Sequence, residues 1–224
     1  MKYLLQGYEP NAPYRFFEEI SAIPRGSHKE KAIADYLVSF AQERGLWYHR
    51  DEMNNVYIKK PGTPGCEGLP PVVLQSHTDM VCEKNKDTVH DFEKDPIQLY
   101  VENDILRARG TTLGADNGIG VAYTLAVLDS MDAPHPPIEG IFTAMEEVGL
   151  TGAYHVDPSL IQGRRMINMD SCPEGGLLVS AAGGHSVTLR LPADWEAQPE
   201  GTVALTVQVR GLLGGHSGGD IDKE

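Results

Sequence analysis

The sequence has few of the features that mark exported or membrane proteins. Its 224 residues include only three cysteines, Cys66, Cys82 and Cys172, which are far apart and form no C-x-x-C pair. An odd number of scattered cysteines favours a reducing compartment over a disulfide framework. The apolar run near the start, Tyr3–Leu5, is too short for a signal peptide, and no run approaches the ~20 apolar residues that span a bilayer. We therefore expect a cytoplasmic protein with no membrane contact.

Basic residues are also scarce. The chain has 19 Lys and Arg against 32 Asp and Glu, which gives a formal net charge of -13. A surface that binds nucleic acid needs clustered Lys and Arg, so we expect no nucleic-acid partner. Apolar residues make up 41% of the chain and charged residues 23%, an ordinary balance for a globular protein.

Two helices are predicted at the start of the chain. The first is expected to begin near Pro13 and to end before Pro24. The second is expected to begin with a capping box formed by Ser27 and Glu30. Gly45 is expected to end it.

Short apolar runs separated by Gly and Pro predict an α/β fold. The predicted strands are Leu46–His49, Val56–Lys59, Val72–Gln75, Ile105–Ala108, Ile138–Ala144 and Met166–Met169. The last two are expected to be buried. Ile119–Leu128 is apolar on nearly every side, which predicts a buried helix. Strands that alternate with helices favour a layered mixed sheet with helices on both faces.

The pattern changes after Gly183. Residues 185–191 and 203–210 alternate apolar and polar side chains, which predicts strands with one solvated face. We place a boundary near Ala182, with residues 1–182 as the main domain and 183–224 as the start of a smaller α+β domain. Two strands cannot bury a core of their own, so we expect this second domain to be incomplete.

Polar side chains follow several of the predicted strands or open the buried helix. They are His77, Asp79, Asp116, Glu146, Glu147 and Asp170. In open α/β sheets ligands bind beyond the carboxyl ends of the strands, so we expect these side chains to meet in one crevice. Each alone has an ordinary explanation, such as a helix cap, a turn or a first-turn carboxylate. Together they indicate a bound cation, because carboxylates packed in a cleft repel one another.

The residue types narrow the choice of cation. One histidine with several carboxylates and no cysteine pair suits zinc, with manganese or cobalt as alternatives. The set offers more ligands than one tetrahedral ion needs. It suits two ions ~3.5–4 Å apart that share a bridging carboxylate.

Five ordered motifs carry a family resemblance. They are SHTDMVCEKN, TTLGADNGIGVA, TAMEEVGLTGA, INMDSCPEGG and GLLGGHSGGD. Through them the chain resembles the aminoacyl-histidine dipeptidases, in the clan of co-catalytic zinc peptidases that includes aminoacylase and glutamate carboxypeptidase. The resemblance covers nearly the whole chain and about the first half of a family member. It implies two zinc ions per full-length subunit, a homodimer when full length, and hydrolysis of unblocked dipeptides, including those with C-terminal histidine.

The resemblance also implies the metal ligands. His77, Asp116 and Asp170 would bind one ion. Asp116 would bridge to the second ion, which Glu147 would also bind. The peptide bond between Asp116 and Asn117 is cis in this family.

Three further residues receive catalytic roles from the resemblance. Asp79 would orient and polarise the imidazole of His77. Glu146 would be the general base, which takes a proton from the attacking water and gives it to the leaving amine. His216, in the lid domain, would stabilise the oxyanion of the tetrahedral intermediate.

The second ion lacks one ligand in this sequence. In the family a histidine near the C-terminus of the full-length chain completes that site, and no histidine here matches it. We therefore expect this chain alone to have little or no peptidase activity. Two alternatives stay open: an amidohydrolase acting on N-acyl amino acids with the same metal site, and a non-catalytic fragment that serves as a binding module.

Overall fold

The computed structural model of the protein describes residues 3–171, 175–181, 183 and 187–212. The chain divides into two units, Met1–Val179 and Ser180–Glu224. In chain order the elements are α1 (Asn11–Ser21), α2 (Lys31–Glu43), β1 (Trp47–Arg50), β2 (Val56–Lys60), β3 (Val72–His77), β4 (Leu99–Glu102), β5 (Ile105–Ala108), α3 (Ala115–Asp129), β6 (Ile138–Thr143), α4 (Thr151–Tyr154), a 3-10 turn (Pro158–Leu160) and β7 (Arg165–Asn168). Among the described helices, none combines the length and the apolar character needed to cross a membrane.

The first unit is built on a five-stranded mixed sheet with strand order β1-β2-β6-β3-β7. β3 runs parallel to both β6 and β7, and β2 pairs antiparallel with β1 and β6. β4 and β5 form a separate antiparallel pair, of which only β5 was predicted. The three parallel strands therefore end at the same edge of the main sheet.

The two faces of the main sheet are covered differently. Ile58, Leu74 and Phe142 share one buried cluster with apolar side chains of α1, α2 and α3. Side chains alternate between the faces of a strand, so the residues next to these point to the other face. There a smaller cluster packs against the chain around the 3-10 turn; its members are Tyr57, Val73, Ile141, Val156, Leu160 and Ile161. The predicted fold class, a layered α/β fold with a mixed sheet, is confirmed.

The predicted helices are present, but the predicted capping box is wrong. α2 begins at Lys31, and the two side chains assigned to its cap make distant contacts instead. Ser27 Oγ donates to Oδ2 of Asp79 at 2.8 Å, and Oε1 of Glu30 accepts the N–H of Met145 at 3.1 Å. Tertiary bonds of these two side chains have replaced the reciprocal cap bonds that the spacing suggested.

β7 pairs with β3 as a strand, but the prediction that it is buried is wrong. All four of its residues are exposed, with Met166 at 63% and Ile167 at 55% of full exposure. β7 lies at the end of the strand order. Apolar composition predicts a strand, but it does not show which part of the sheet other elements cover.

In the second unit the described stretch 187–212 contains no strand. The strands predicted over 185–191 and 203–210 are therefore wrong for the residues of those ranges that the structure describes. Val187, Leu189 and Val207 are 74%, 90% and 89% exposed. Alternation alone does not hold two strands together when nothing covers their apolar face. The domain boundary at residues 182 and 183, and the lid assignment, stay predictions.

Candidate metal centre

The candidate site lies at the edge of the sheet where β3, β6 and β7 end. His77 is the last residue of β3, and Glu146 and Glu147 follow β6 by a few residues. Asp170 follows β7, and Asp116 lies in the first turn of α3. The structure thus brings six of the seven predicted site residues to one place, while His216 lies outside the described residues.

The imidazole of His77 is at the centre of the site. It is 1% exposed, and its Nε2 atom lies 3.1 Å from Oδ1 of Asp116, 3.8 Å from Oε2 of Glu146 and 4.0 Å from Oδ1 of Asp170. Its Nδ1 atom faces Oδ1 of Asp79 at 3.3 Å. This distance allows an ion pair, but the two atoms are not aligned as in a good hydrogen bond. One ring nitrogen therefore faces the cluster of carboxylates and the other faces a single buried carboxylate.

The carboxylate of Asp79 is buried and fixes the segment after β6. Oδ1 accepts the backbone N–H of Glu146 at 3.0 Å, and Oδ2 accepts that of Glu147 at 3.2 Å. Oδ2 also accepts the hydroxyl of Ser27. Burial alone would raise the pKa of Asp79, but these hydrogen bonds and His77 outweigh burial and lower it. Asp79 is therefore a stable anion that orients the imidazole and two neighbouring backbone amides.

Without a bound cation, the charges and the burial of the site favour the protonated forms of His77, Glu146 and Glu147. Burial opposes the charged form of His77, but the carboxylates of Asp116, Asp79 and Asp170 outweigh it and raise the pKa of His77 to about 10. Burial raises the pKa of Glu146 and of Glu147, and neighbouring carboxylates raise both further, although His77 opposes the shift. A bound divalent cation would neutralise the same carboxylates.

Two groups of side chains have the spacing of metal ligands. One is His77, Asp116 and Asp170, and the other is His77, Glu146 and Glu147. Within each group, one candidate ligand atom per residue lies within 4.8 Å of the others. A neutral imidazole nitrogen and carboxylate oxygens are ligands that zinc accepts. The contact of His77 Nδ1 with a carboxylate is the usual support of a metal-bound histidine, so the donor set fits the ion.

Asp116 is held at the start of α3 by an unusual backbone. Gly114 adopts a left-handed conformation with φ of 71°, and the Asp116–Asn117 peptide bond is cis, as the resemblance implies. The side chain of Asn117 is buried, and its Nδ2 donates to the carbonyl of Met169 at 2.9 Å. This bond joins the segments that carry Asp116 and Asp170.

Arg25 is a fully buried residue of the site that sequence reasoning missed. Its Nη1 donates to the carbonyls of Thr78 at 3.0 Å and Asp79 at 3.3 Å, and its Nη2 donates to the carbonyl of Gly114. Burial lowers the pKa of Arg25 to about 10, and nearby acidic groups including Asp79 oppose this shift. The guanidinium joins the loop after β3 to the loop before α3. Its neighbours are more than fifty positions away, so the sequence around it gives no signal of this role.

The candidate site lies within a region of clear family similarity. Residues 73–209 match the model of the Peptidase family M20/M25/M40. The chain belongs to this family. It is 46% identical over 217 residues to the cytosol non-specific dipeptidase of Escherichia coli (strain K12), covering 97% of this chain and 45% of that protein. The chain thus spans less than half the length of this curated relative.

Solved structures agree with the family assignment. An aminoacylhistidine dipeptidase from Vibrio alginolyticus is similar with a TM-score of 0.74 and 48% identity, over 76% of this chain and 35% of that one. A tripeptidase from Staphylococcus aureus, at 24% identity and a TM-score of 0.61 over 72% of this chain and 43% of that one, shows the shared fold alone. The resemblance to aminoacyl-histidine dipeptidases is confirmed.

Proposed function

We propose that this chain forms the metal-binding part of a dipeptidase that hydrolyses unblocked dipeptides, including those with C-terminal histidine. The observation that carries the proposal is the meeting of one buried imidazole with four carboxylates at the edge of the sheet. The names of the relatives from E. coli and V. alginolyticus support dipeptides as the substrate class.

The proposed ions are zinc, two per full-length subunit, with manganese or cobalt as alternatives. His77, Asp116 and Asp170 would hold one ion, and Asp116 and Glu147 the other. When bound, such ions polarise a peptide carbonyl and activate water for attack. Asp79 keeps His77 in the orientation that directs Nε2 to the ion.

Glu146 is the proposed general base. Its side chain is 28% exposed, so that water can reach it, and its Oε2 atom lies 3.8 Å from His77 Nε2. A raised pKa suits a carboxylate that takes a proton from the attacking water and returns it to the amine nitrogen as the C–N bond breaks. We also propose that His216 donates a hydrogen bond to the oxyanion.

The part of the chain that the structure describes offers one complete ligand set. Both candidate groups in the described residues use His77. The single Nε2 atom that faces these carboxylates can bind one ion, so among the described residues only carboxylates remain for the second ion. We therefore propose that this chain alone binds one ion and has little or no activity.

The proposed function is tested by comparing this chain with a longer version that includes the rest of the protein. We expect the longer version to hydrolyse an Xaa-His dipeptide with zinc or manganese, to lose activity with a chelator, and to exceed this chain at least tenfold in rate. Hydrolysis of N-acetyl amino acids in preference to dipeptides would favour the amidohydrolase instead. Absence of hydrolysis by the longer version with every metal would favour the binding module.

Localisation and assembly are part of the same proposal. The E. coli relative is named a cytosol dipeptidase, which supports a cytoplasmic location. We propose a small peptide as the partner, with no nucleic acid and no membrane, and a homodimer of the full-length protein.

A further inference from the structure

The carboxylate of Glu30 is buried and belongs to neither of the two groups of candidate metal ligands. Glu30 is 2% exposed and directly precedes α2. Its Oε1 atom accepts two backbone N–H groups, from His28 at 3.0 Å and from Met145 at 3.1 Å. Met145 is 115 residues away along the chain and directly precedes Glu146.

Both residues that donate to Glu30 have a left-handed backbone. φ is 68° for His28 and 52° for Met145, and neither residue is glycine. Such a conformation is unfavourable for a residue with a side chain and persists where the surroundings enforce it. One carboxylate therefore stabilises two turns that are unfavourable by themselves.

The turn at Met145 sets the direction of the proposed base. The next two backbone N–H groups, of Glu146 and Glu147, both donate to the carboxylate of Asp79. Three consecutive N–H groups are thus held by two buried carboxylates, Glu30 and Asp79. If Met145 left its turn, the side chains of Glu146 and Glu147 would move relative to His77.

We propose that Glu30 is a positioning residue for Glu146 and Glu147: its carboxylate holds the Met145 turn that places both side chains beside His77. The inference rests on the proposed function only for the role of Glu146 as base. Burial raises the pKa of Glu30, and the two N–H donors oppose that shift because they favour its charged form.

The matched control is Glu139 on β6. It is 4% exposed and also accepts backbone N–H groups, from Gln162 and from Gly163 at 2.9 Å. It lies near the amino end of β6, whereas the site is at the carboxyl end. Glu139→Ala therefore removes a similar buried carboxylate without touching the site.

The direct test is amide hydrogen exchange at residues 145–147 in this chain. We expect Glu30→Ala to speed exchange of these amides at least tenfold. Glu30→Gln should keep most of the wild-type protection, because its amide oxygen can accept the same bonds. Glu139→Ala should leave the exchange of these amides unchanged. Unchanged exchange in folded Glu30→Ala, or equal acceleration by Glu139→Ala, would overturn the inference. If Glu30→Ala does not fold, Glu30→Asp replaces it, because its shorter side chain draws the carboxylate away from the N–H of Met145. Faster exchange at 145–147 in Glu30→Asp with normal exchange in β6 supports the inference, and wild-type protection at 145–147 overturns it.

The second readout is catalysis by the longer version. We expect Glu30→Ala to lower kcat about 10–100-fold with little change in KM and metal content, because a shift of ~1 Å in a reacting group can cost 10²-fold. Glu139→Ala should leave kcat within twofold. An unchanged kcat in Glu30→Ala would refute the positioning role, whereas an inactive wild type would refute the proposed function and leave the exchange test to decide on Glu30.

Discussion

β6 and β7 flank β3 on opposite sides, and both lead to carboxylates of the candidate site, but their surroundings differ. Every residue of β6 is buried, and every residue of β7 is exposed. After β6, Asp79 and Glu30 hold three consecutive amides. After β7, the segment is held by the Asn117–Met169 bond and by backbone pairing to β3. The site is thus fixed by buried tertiary contacts on one side and by a strand edge on the other.

Because of this difference in burial, we expect the β6 side and the β7 side of the site to have different roles. The β6 side carries the proposed base, whose position relative to the water and the substrate determines the rate. The β7 side supplies Asp170, a carboxylate that a bound cation would draw to His77 by charge. We therefore expect changes on the β6 side to affect catalysis and stability, and changes on the β7 side to affect metal affinity alone.

The largest expected effect is on the rate, from Glu146→Gln in the longer version. The amide has a similar shape but cannot take the proton of water, so we expect a loss of about 10²–10⁴-fold in kcat. Metal content, measured by elemental analysis, should stay near wild type. Loss of metal together with activity would mean that the roles of Glu146 and Glu147 are exchanged.

The next largest expected effect is on the free energy of unfolding, and it differs between β6 and β7. Phe142 of β6 is completely buried, so Phe142→Ala should lower the free energy of unfolding by about 3–5 kcal/mol. Ile167 of β7 is 55% exposed, and Ile167→Ala should change the free energy of unfolding by less than about 0.5 kcal/mol. Urea denaturation of the two variants measures both values. Equal losses would show that β7 is covered in solution.

A smaller expected effect distinguishes two carboxylates of the site, Asp79, which binds the amides after β6, and Asp170, which follows β7. Asp79→Asn should weaken metal binding about 10–100-fold, as loss of a histidine-orienting carboxylate does. It should also lower the free energy of unfolding by about 1–3 kcal/mol, because the amide cannot accept all the N–H and O–H groups that Asp79 serves. Asp170→Asn should weaken metal binding but leave the metal-free protein as stable as wild type. Competition with a chromophoric chelator and thermal melting distinguish the two variants.

The location of the site could be predicted from the sequence because the end of a strand can be recognised from the residues around it. His77, Asp116 and Asp170 each follow or precede a recognisable apolar segment, and the topology of a parallel sheet brings such positions to one edge. The strands β1 and β2 and the buried helix α3 were predicted for the same local reason.

The contacts that hold the site could not be read from the sequence. Ser27 and Glu30 fit a capping box by spacing, but Ser27 bonds to a residue 52 positions away, and Glu30 bonds to Met145, 115 positions away, as well as to nearby His28. Likewise, the apolar residues of β7 predict burial although the strand lies at the end of the sheet. Periodicity shows which residues are apolar or polar, whereas tertiary packing determines what each one contacts.

The central claim is that His77 is the shared ligand around which this site binds a divalent cation. Zinc titration of this chain, with bound metal counted after gel filtration, tests it most directly. We predict one zinc ion per wild-type chain, none in His77→Ala, and a wild-type melting temperature that rises with zinc, since an ion 100-fold above its dissociation constant adds about 2.7 kcal/mol of stability. A wild-type chain that binds no zinc, or a His77→Ala chain that binds it equally well, would contradict the account.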